Sequence, residues 1–275
     1  RINKKWIERV EFMTGNDSSQ EFPRVLAVAN QKGGVGKTTT AVNLASALAL
    51  RRKRILIVDS DPQGNASSGV GISTKKLDSH LYHAFCNDTQ IPDLIHKTGV
   101  KNLEIVPSNI DLVAAELELI NQEAREDFLK NILAYVRKEY DYIFIDCPPS
   151  LGLLTVNALT AANSVLIPMQ CEYFAMEGLA QLINTVRSVK RSFNTDLYIE
   201  GLLLTMFDTR NKLSHQVSDE ISRHFGKQVF KTIIPRNVRL SECPSHGQTI
   251  MEYDFKSTGS QAYRSLALEF LKRRR

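Results

Sequence analysis

Long hydrophobic runs are missing from this 275-residue sequence. No apolar stretch approaches the ~20 residues that a membrane-spanning helix needs, and no segment has the pattern of a secretory signal. We therefore expect a cytoplasmic protein, without a membrane as its main partner. The composition, 43% hydrophobic and 24% charged, is typical of a globular chain large enough to bury a substantial core.

Cysteine is scarce, and its spacing excludes the usual cysteine chemistry. No C-x-x-C pair occurs, so we expect free thiols in a reducing compartment rather than a zinc site or disulfides. The four residues are Cys86, Cys147, Cys171 and Cys243. The histidines of the polar stretch 70–101 fit no common ligand spacing either, and we expect solvated positions for His80, His83 and His96.

Positive charge exceeds negative charge, but only slightly. The formal net charge is +5, which favours a polyanion or a membrane surface only if the charge is clustered. The densest run, Arg51 to Arg54, follows a predicted helix. Because a helix dipole attracts cations to its C-terminus, we interpret this run as a helix end rather than a nucleic-acid contact.

Residues 1–23 differ from the rest of the chain. Ile2, Trp6, Val10 and Met13 fall near helical spacing beside basic residues, and the polar stretch 14–19 is typical of a linker. This N-terminal extension could lie on a membrane, bind a partner, pack on the domain or be mobile. A single domain over residues 24–275 accounts for the remainder.

A glycine-rich loop lies between a predicted strand and a predicted helix. It begins at Asn30, after the apolar run 25–29, and the helix extends from Thr40 to Leu50. Glycines allow the backbone N–H groups to approach an anion, and the helix N-terminus adds partial positive charge. In such a loop Lys37 reaches the β and γ phosphates of a nucleotide, and the Thr38 hydroxyl binds Mg²⁺.

The loop departs from the common phosphate-loop pattern in two ways. Gln31 occupies the position of the first glycine, and a second lysine, Lys32, precedes the paired glycines. The run Lys-Gly-Gly-Val-Gly-Lys-Thr-Thr resembles the deviant phosphate loop of the ParA/MinD group of ATPases. The resemblance implies ATP or ADP with Mg²⁺, and it implies that Lys32 reaches the nucleotide of a second subunit across a dimer interface. The implied nucleotide-binding residues are Lys32, Gly33, Gly34, Val35, Gly36, Lys37, Thr38 and Thr39.

Two carboxylates follow the next buried strand. The run 55–65 ends in Asp59-Ser60-Asp61-Pro62-Gln63-Gly64-Asn65, at the edge where open α/β sheets bind ligands. Turn chemistry is the simpler interpretation of these aspartates. The run also resembles the first switch of the ParA group, which implies that Asp61 orients the attacking water. We place Asp59 near the metal.

A third strand also ends in an aspartate. Tyr142 to Ile145 leads into Asp146, the Walker B pattern, in which the carboxylate holds Mg²⁺ directly or through water. The following run, Cys147-Pro148-Pro149-Ser150, resembles the second switch of the partition ATPases. We interpret Cys147 as a small apolar residue.

Strands and helices alternate along the chain, which predicts the fold class. We expect a single-domain α/β P-loop NTPase with a mostly parallel, twisted sheet and helices on both faces. Further strands are predicted at 103–107, 164–169, 197–206 and 229–234. Helices are predicted around residues 110–120, where Ile110, Val113, Ala114, Leu117 and Ile120 form the apolar face, and around 128–136, 179–189 and 263–271.

A segment near the end of the sequence indicates a function in addition to ATP hydrolysis. Residues 233–247 resemble a signature of the chromosomal partition ATPases ParA and Soj, with Cys243 in place of the usual alanine. The resemblance implies that Pro235 and Asn237 line the adenine site. Arg210, Arg236 and Arg239 are then candidates for a nonspecific DNA surface, although solvated surface arginines are the simpler interpretation of each.

The ParA resemblance implies a complete cycle. An ATP-bound homodimer binds double-stranded DNA nonspecifically at the nucleoid, and a ParB-like centromere-binding protein stimulates hydrolysis and release. Lys32, Lys37 and Asp61 are the catalytic residues, and Thr38, Asp59 and Asp146 the metal residues. The alternative is a MinD-like, membrane-recruited positioning ATPase, because the C-terminal stretch 266–275 has some amphipathic character.

Overall fold

The computed structural model of the chain describes residues 24–86, 89–172 and 175–273. The N-terminal extension of residues 1–23, for which a basic helix and a linker are predicted, lies outside the described residues.

Seven strands of the described residues form one sheet in the order β3-β4-β2-β5-β1-β6-β7. All neighbouring pairs are parallel except β3 with β4. This confirms the predicted fold class, and it gathers the segments that follow β2, β5, β1, β6 and β7 at one edge, the carboxyl edge. The strands are β1 (Arg24–Val28), β2 (Ile55–Asp59), β3 (His96–Lys97), β4 (Leu103–Val106), β5 (Tyr142–Asp146), β6 (Ser164–Gln170) and β7 (Tyr198–Thr205).

Helices cover both faces of the sheet. On one face pack α1 (Lys37–Ala49), α2 (Asn65–Gly69), α9 (Val238–Glu242), α10 (Ile250–Tyr253) and α11 (Thr258–Lys272). On the other pack α3 (Leu81–Cys86), α4 (Leu112–Glu118), α5 (Phe128–Ala134), α6 (Leu153–Ala161), α7 (Ala175–Ser192) and α8 (Lys212–Phe225). Alternate residues of each strand enter the two cores, for example Leu26 and Val28 on the first face and Val25 and Ala27 on the second.

Two predicted segments differ from the structure. Residues 229–234 do not form a strand. The segment is joined to β7 by the isolated bridge of Val229 with Leu202 and by the N–H groups of Phe230 and Ile234, which donate to the Leu202 and Leu204 carbonyls over 2.9 Å each, without a continuous ladder. The stretch 70–101 is also more ordered than its polar composition indicated, since it contains α3 and the antiparallel strand β3. His80 was wrongly predicted to be solvated: it is 2% exposed, and its Nε2 lies 3.4 Å from Asp111 Oδ2.

Helix α4 forms where a helix is predicted, but its buried face was predicted wrongly. Leu112, Ala115 and Leu119 pack into the core. Four residues of the predicted apolar face are instead exposed on the surface, namely Ile110, Val113, Leu117 and Ile120. Both faces are apolar, so the periodicity alone could not decide between them.

The C-terminal helix is docked against α1. Leu266, Ala267 and Phe270 are fully buried in the core, and the Tyr263 hydroxyl lies 3.1 Å from Thr40 Oγ1. The apolar face that suggested the MinD-like alternative is therefore buried in the core of the domain. Among the described helices, none combines the length and apolar character needed to cross a bilayer.

Candidate active site

The glycine-rich loop between β1 and α1 is tied to two neighbouring strands. The Asn30 side chain donates to the Pro168 carbonyl over 2.7 Å and accepts from the Lys32 N–H over 3.1 Å. Thr205, the last residue of β7, donates its hydroxyl to the Val35 carbonyl over 2.7 Å. These bonds fix the position of the loop against β6 and β7.

Two glycines give the loop its shape. Gly34 and Gly36 have φ values of 72° and 85°, in the left-handed region that side chains rarely adopt. No atom lies within 4 Å of the position of a Cβ at Gly33 or Gly34. The concave side of the loop is therefore a cradle of backbone with open space beside it, as an anion-binding loop requires.

The loop forms one wall of a cavity of about 590 Å³. The opposite walls come from the segment after β2, from α2 and from residues 243–248. Cavities of this size accommodate small ligands such as nucleotides. The lining residues are Gly33, Gly34, Gly36, Lys37, Thr38, Thr39, Val42, Asn43, Asp61, Gln63, Asn65, Ser68, Gly69, Pro149, Met206, Cys243, Pro244, Ser245 and Gln248.

Lys37 is the buried cation of this cavity. It is 7% exposed, and its Nζ donates to the Lys32 carbonyl over 3.2 Å. Burial lowers the pKa of Lys37, while the neighbouring Asp146 and Asp61 oppose that shift. A cation held in this way gains most from an anionic ligand, because burial has already removed its water.

The strand-end acids Asp59 and Asp146 are register partners on β2 and β5 and are completely buried. Asp59 Oδ2 accepts from the Ser67 N–H at 2.8 Å and the Ser67 hydroxyl at 2.6 Å, and Oδ1 accepts from the Asp61 N–H at 3.2 Å. Burial raises the pKa of Asp59 to about 6 despite these bonds. Asp59 thus holds the first-switch segment in place, in addition to any part it has near a metal.

Asp146 lacks the well-formed hydrogen bonds that Asp59 receives. Neither carboxylate oxygen meets hydrogen-bond geometry with a partner among the described residues. Burial, and then the charge of Asp59, raise the pKa of Asp146, whereas Thr38 and Lys37 act in the opposite direction. Buried oxygen ligands without partners beside a threonine hydroxyl fit Mg²⁺, which takes few protein ligands and completes its shell with phosphate and water.

Asp61 and Lys32 lie on different sides of the loop. Asp61 lines the cavity, is 7% exposed and accepts from the Gln63 N–H over 2.9 Å. Lys32 is not among the lining residues of the described chain, because its ammonium group is ion-paired with Glu172. Of the three predicted catalytic residues, the structure thus brings Lys37 and Asp61 together and leaves Lys32 outside.

The two residues predicted to line the adenine site also lie outside the cavity lining. Asn237 caps α9 by accepting from the Leu240 N–H over 3.1 Å and donates to the Thr258 hydroxyl over 2.8 Å. Pro235 pairs with Phe207. Among the described residues neither Pro235 nor Asn237 lines the cavity, so their assignment to the adenine remains a prediction.

The predicted DNA-binding arginines form two groups. Arg210 is 87% exposed in its side chain and binds Asp208 through two hydrogen bonds of 3.1 Å. Hydrogen bonding by Arg210, with a charge contribution from the exposed Arg236, lowers the pKa of Asp208. Arg239 stands apart, 3.0 Å from Glu242. Arg210 and Arg239 are thus exposed but locally neutralised.

The sequence reasoning missed the residues that support the loop. Asn30 and Thr205 each follow or end a buried strand at the carboxyl edge, and that position is the signal that could have identified them. It also missed the cavity wall at residues 243–248, which the chain order does not place near the loop.

Comparisons with known proteins identify the family of the chain. A family model described as an AAA domain matches residues 23–199. The chain is 56% identical over 250 residues to the chromosome partitioning protein ParA of Myxococcus xanthus, covering 91% of this chain and 88% of that protein. It is 55% identical over 246 residues to the sporulation initiation inhibitor protein Soj of Bacillus subtilis, covering 90% and 97%.

A solved structure has the same fold as this chain. Cobyrinic acid a,c-diamide synthase from Mycobacterium smegmatis, with bound ADP and magnesium, superposes with a TM-score of 0.81 at 37% identity, over 92% of this chain and 97% of that one. The expected resemblance to the ParA group is confirmed, because more than half of the aligned residues match those of ParA and Soj. The chain is an ATPase and belongs to the ParA/Soj family of partitioning proteins.

Proposed function

We propose that this ATPase works as a nucleotide-switched dimer that binds DNA without sequence preference and releases it after hydrolysis. The observation that carries the proposal is the position of Lys32. Its ammonium group pairs with Glu172 outside its own cavity and is 39% exposed, so it is available to a second copy facing the same edge. The switch would place one such lysine at each nucleotide of the dimer.

Within one subunit, the loop and Lys37 bind the phosphates of ATP. The backbone N–H groups of the cradle and the buried ammonium group of Lys37 neutralise phosphate charge, and the burial of Lys37 strengthens its contact. Asp146, Asp59 and Thr38 would hold Mg²⁺, which neutralises phosphate charge when bound. Phosphoryl transfer depends mainly on such positioning and charge stabilisation.

Asp61 positions the attacking water in this proposal. One of its oxygens accepts from the Gln63 N–H, and the second accepts no hydrogen bond from the described residues. That oxygen can therefore accept a hydrogen bond from a water molecule in the cavity. Loss of a group that orients or deprotonates the nucleophile typically costs about 10²–10⁴-fold in rate.

DNA binding follows from dimer closure. Arg210, Arg236 and Arg239 are exposed, and two copies of each surface would act on one duplex. Joining two weak sites raises the overall affinity by about 10²–10⁴-fold without new contacts. A ParB-like centromere-binding protein is the proposed activator of hydrolysis, which would place the protein at the nucleoid until that partner acts.

The test compares ADP, ATP and a nonhydrolysable analogue in light scattering and in fluorescence anisotropy with a random-sequence duplex. We expect a dimer, and an affinity for DNA at least about a hundredfold above that with ADP, in ATP and in the analogue. A monomer in all three nucleotides would refute the proposal.

A variant pair separates hydrolysis from binding. Asp61→Ala removes the water contact, so we expect an ATP-bound dimer that retains DNA while phosphate release falls at least about a hundredfold. Asp78→Ala removes an equivalent charge from an exposed position after the first switch and serves as its control. Normal phosphate release by Asp61→Ala would remove Asp61 from the mechanism.

A further inference from the structure

Basic side chains cluster at the amino edge of the sheet, opposite the cavity. Three segments that lead into β2, β4 and β5 meet there, and we call them the basic edge: residues 51–54, 97–102 and 137–141. They contain eight lysines and arginines, namely Arg51, Arg52, Lys53, Arg54, Lys97, Lys101, Arg137 and Lys138.

The acids of the basic edge are few. Glu139 and Asp141 belong to it, and Glu104 lines the same hollow. With these three acids counted, the surface carries +5, which equals the formal net charge of the whole chain. The rest of the chain therefore sums to zero, and the basic edge is a local excess of positive charge, the condition under which a modest net charge attracts a polyanion.

Short backbone contacts hold the three segments together. The Asp141 N–H donates to the Arg54 carbonyl over 2.8 Å, and the Ile55 N–H donates to the Asn102 carbonyl over 2.9 Å. Between them lies a hollow of about 500 Å³, lined by Arg54, Lys97 and Lys101 among others. The cations are thus presented around a concavity by a fixed framework.

Two of the three acids accept hydrogen bonds from neighbouring residues, whereas two of the lysines form no ion pair within the described chain. Glu104 accepts from the Tyr140 hydroxyl over 2.6 Å, and Asp141 accepts from the Arg54 N–H over 2.7 Å. Lys97 and Lys101 are exposed and make no ion pair with any described residue. Their charge is available to a ligand.

The geometry points to the phosphate backbone of duplex nucleic acid as that ligand. Strands β3, β4, β2 and β5 are adjacent, so the cations span three strand spacings, about 14 Å. That length faces about four phosphates of one DNA strand. Val100 and Tyr140 are buried, so these segments offer no exposed apolar centre of the kind that protein interfaces and membrane insertion use.

We infer that the basic edge is a second DNA-binding surface, independent of nucleotide and of the proposed dimer. Arg51 to Arg54 follow α1 and do not lie in its last turn, so this assignment replaces their interpretation as a helix end. A dimer that closes across the carboxyl edge leaves the amino edge open in every nucleotide state. One molecule can then contact a second duplex segment, and weak binding to DNA persists with ADP.

The test is the salt dependence of binding to a random-sequence duplex with ADP, measured by anisotropy. The variant Lys97→Ala/Lys101→Ala removes two phosphate contacts, so the slope of log affinity against log salt should decrease in magnitude by about 1.8. Between about 50 and 200 mM salt, the wild-type affinity then falls about 12-fold more than that of the variant. The matched control, Arg223→Ala/Lys227→Ala, removes two exposed cations elsewhere that likewise make no ion pair with a described residue, and it should keep the wild-type slope.

Each of the other possible outcomes supports or overturns the inference. We expect the same change in slope with ATP, while ATP hydrolysis without DNA stays normal. An unchanged slope with ADP would overturn the inference, and so would a change seen only with ATP. Loss of binding to phosphatidylglycerol vesicles with unchanged duplex binding would assign the surface to lipid instead and also overturn it. Arg239→Ala, measured with ATP, tests the dimer-dependent surface separately, so failure of one proposal is distinguishable from failure of the other.

Discussion

Replacing Asp146 by asparagine should change stability and activity in opposite directions. The carboxylate is completely buried, its oxygens have no hydrogen-bond partner among the described residues, and Asp59 is its register partner on the next strand. Neighbouring strands lie about 5 Å apart, and two carboxylates at that separation, when both are ionised, repel by about 3 kcal/mol at an effective dielectric constant of about 20. Lys37 offsets part of this, so at a pH high enough to ionise both acids we expect Asp146→Asn to stabilise the ligand-free fold by about 2 kcal/mol; the gain disappears as the pH falls and either acid is protonated.

The assay is thermal unfolding in a chelator, paired with phosphate release in magnesium. A gain of about 2 kcal/mol raises the Tm by about 4–8 °C for a domain of roughly this size. Hydrolysis should fall at least about a hundredfold, because the amide lacks the charge that holds the metal. Asp93→Asn, at an exposed position, should change neither quantity. A lowered Tm for Asp146→Asn, or retained hydrolysis, would refute this account of the buried acids.

Three further predictions concern the loop and the core. Lys32→Ala should leave the affinity for ADP, measured by calorimetry, within about threefold of wild type, since the side chain lies outside the cavity of its own subunit. The same variant should abolish the ATP-dependent dimer in light scattering. Thr205→Val should leave a loop carbonyl unpaired at a cost of about 1–2 kcal/mol and weaken ADP binding about tenfold; unchanged affinity would show that the tether does not matter. Gly201→Ala would place its Cβ 2.6 Å from Phe230 and lower the free energy of unfolding, measured by denaturant titration, by about 1–3 kcal/mol, whereas Gly178→Ala, with open space around it, should not destabilise the protein.

The fold was predictable from the sequence because local and global signals agree. Buried strands that end in a glycine-rich loop or an aspartate are specific patterns, and the parallel alternation follows from the helices between them. The segment 229–234 shows where this reasoning fails. Phe230 and Ile234 are buried, and only scattered backbone contacts join the segment to β7, so burial without a continuous ladder gives the same composition as a strand.

The site was predictable only in part. Lys37 and Asp61 belong to motifs whose spacing along the chain predicts a phosphate site, and the structure brings them to one cavity. The buried His80, the exposed side of α4 and the wall at residues 243–248 depend on which elements pack together. Tertiary packing determines these features, and a single sequence does not contain that information locally.

The attachment of α1 to the end of the chain has a practical consequence for truncation. Thr40 contacts Tyr263, Ser46 Oγ lies 3.1 Å from Thr249 Oγ1, and the Asn43 side chain accepts from the Ile250 N–H over 2.8 Å. The AAA family match stops at residue 199, ahead of all three partners. A fragment cut at that boundary would leave the first helix without its covering layer, so shortened versions meant for crystallisation or fusion must retain the polypeptide through the last helix.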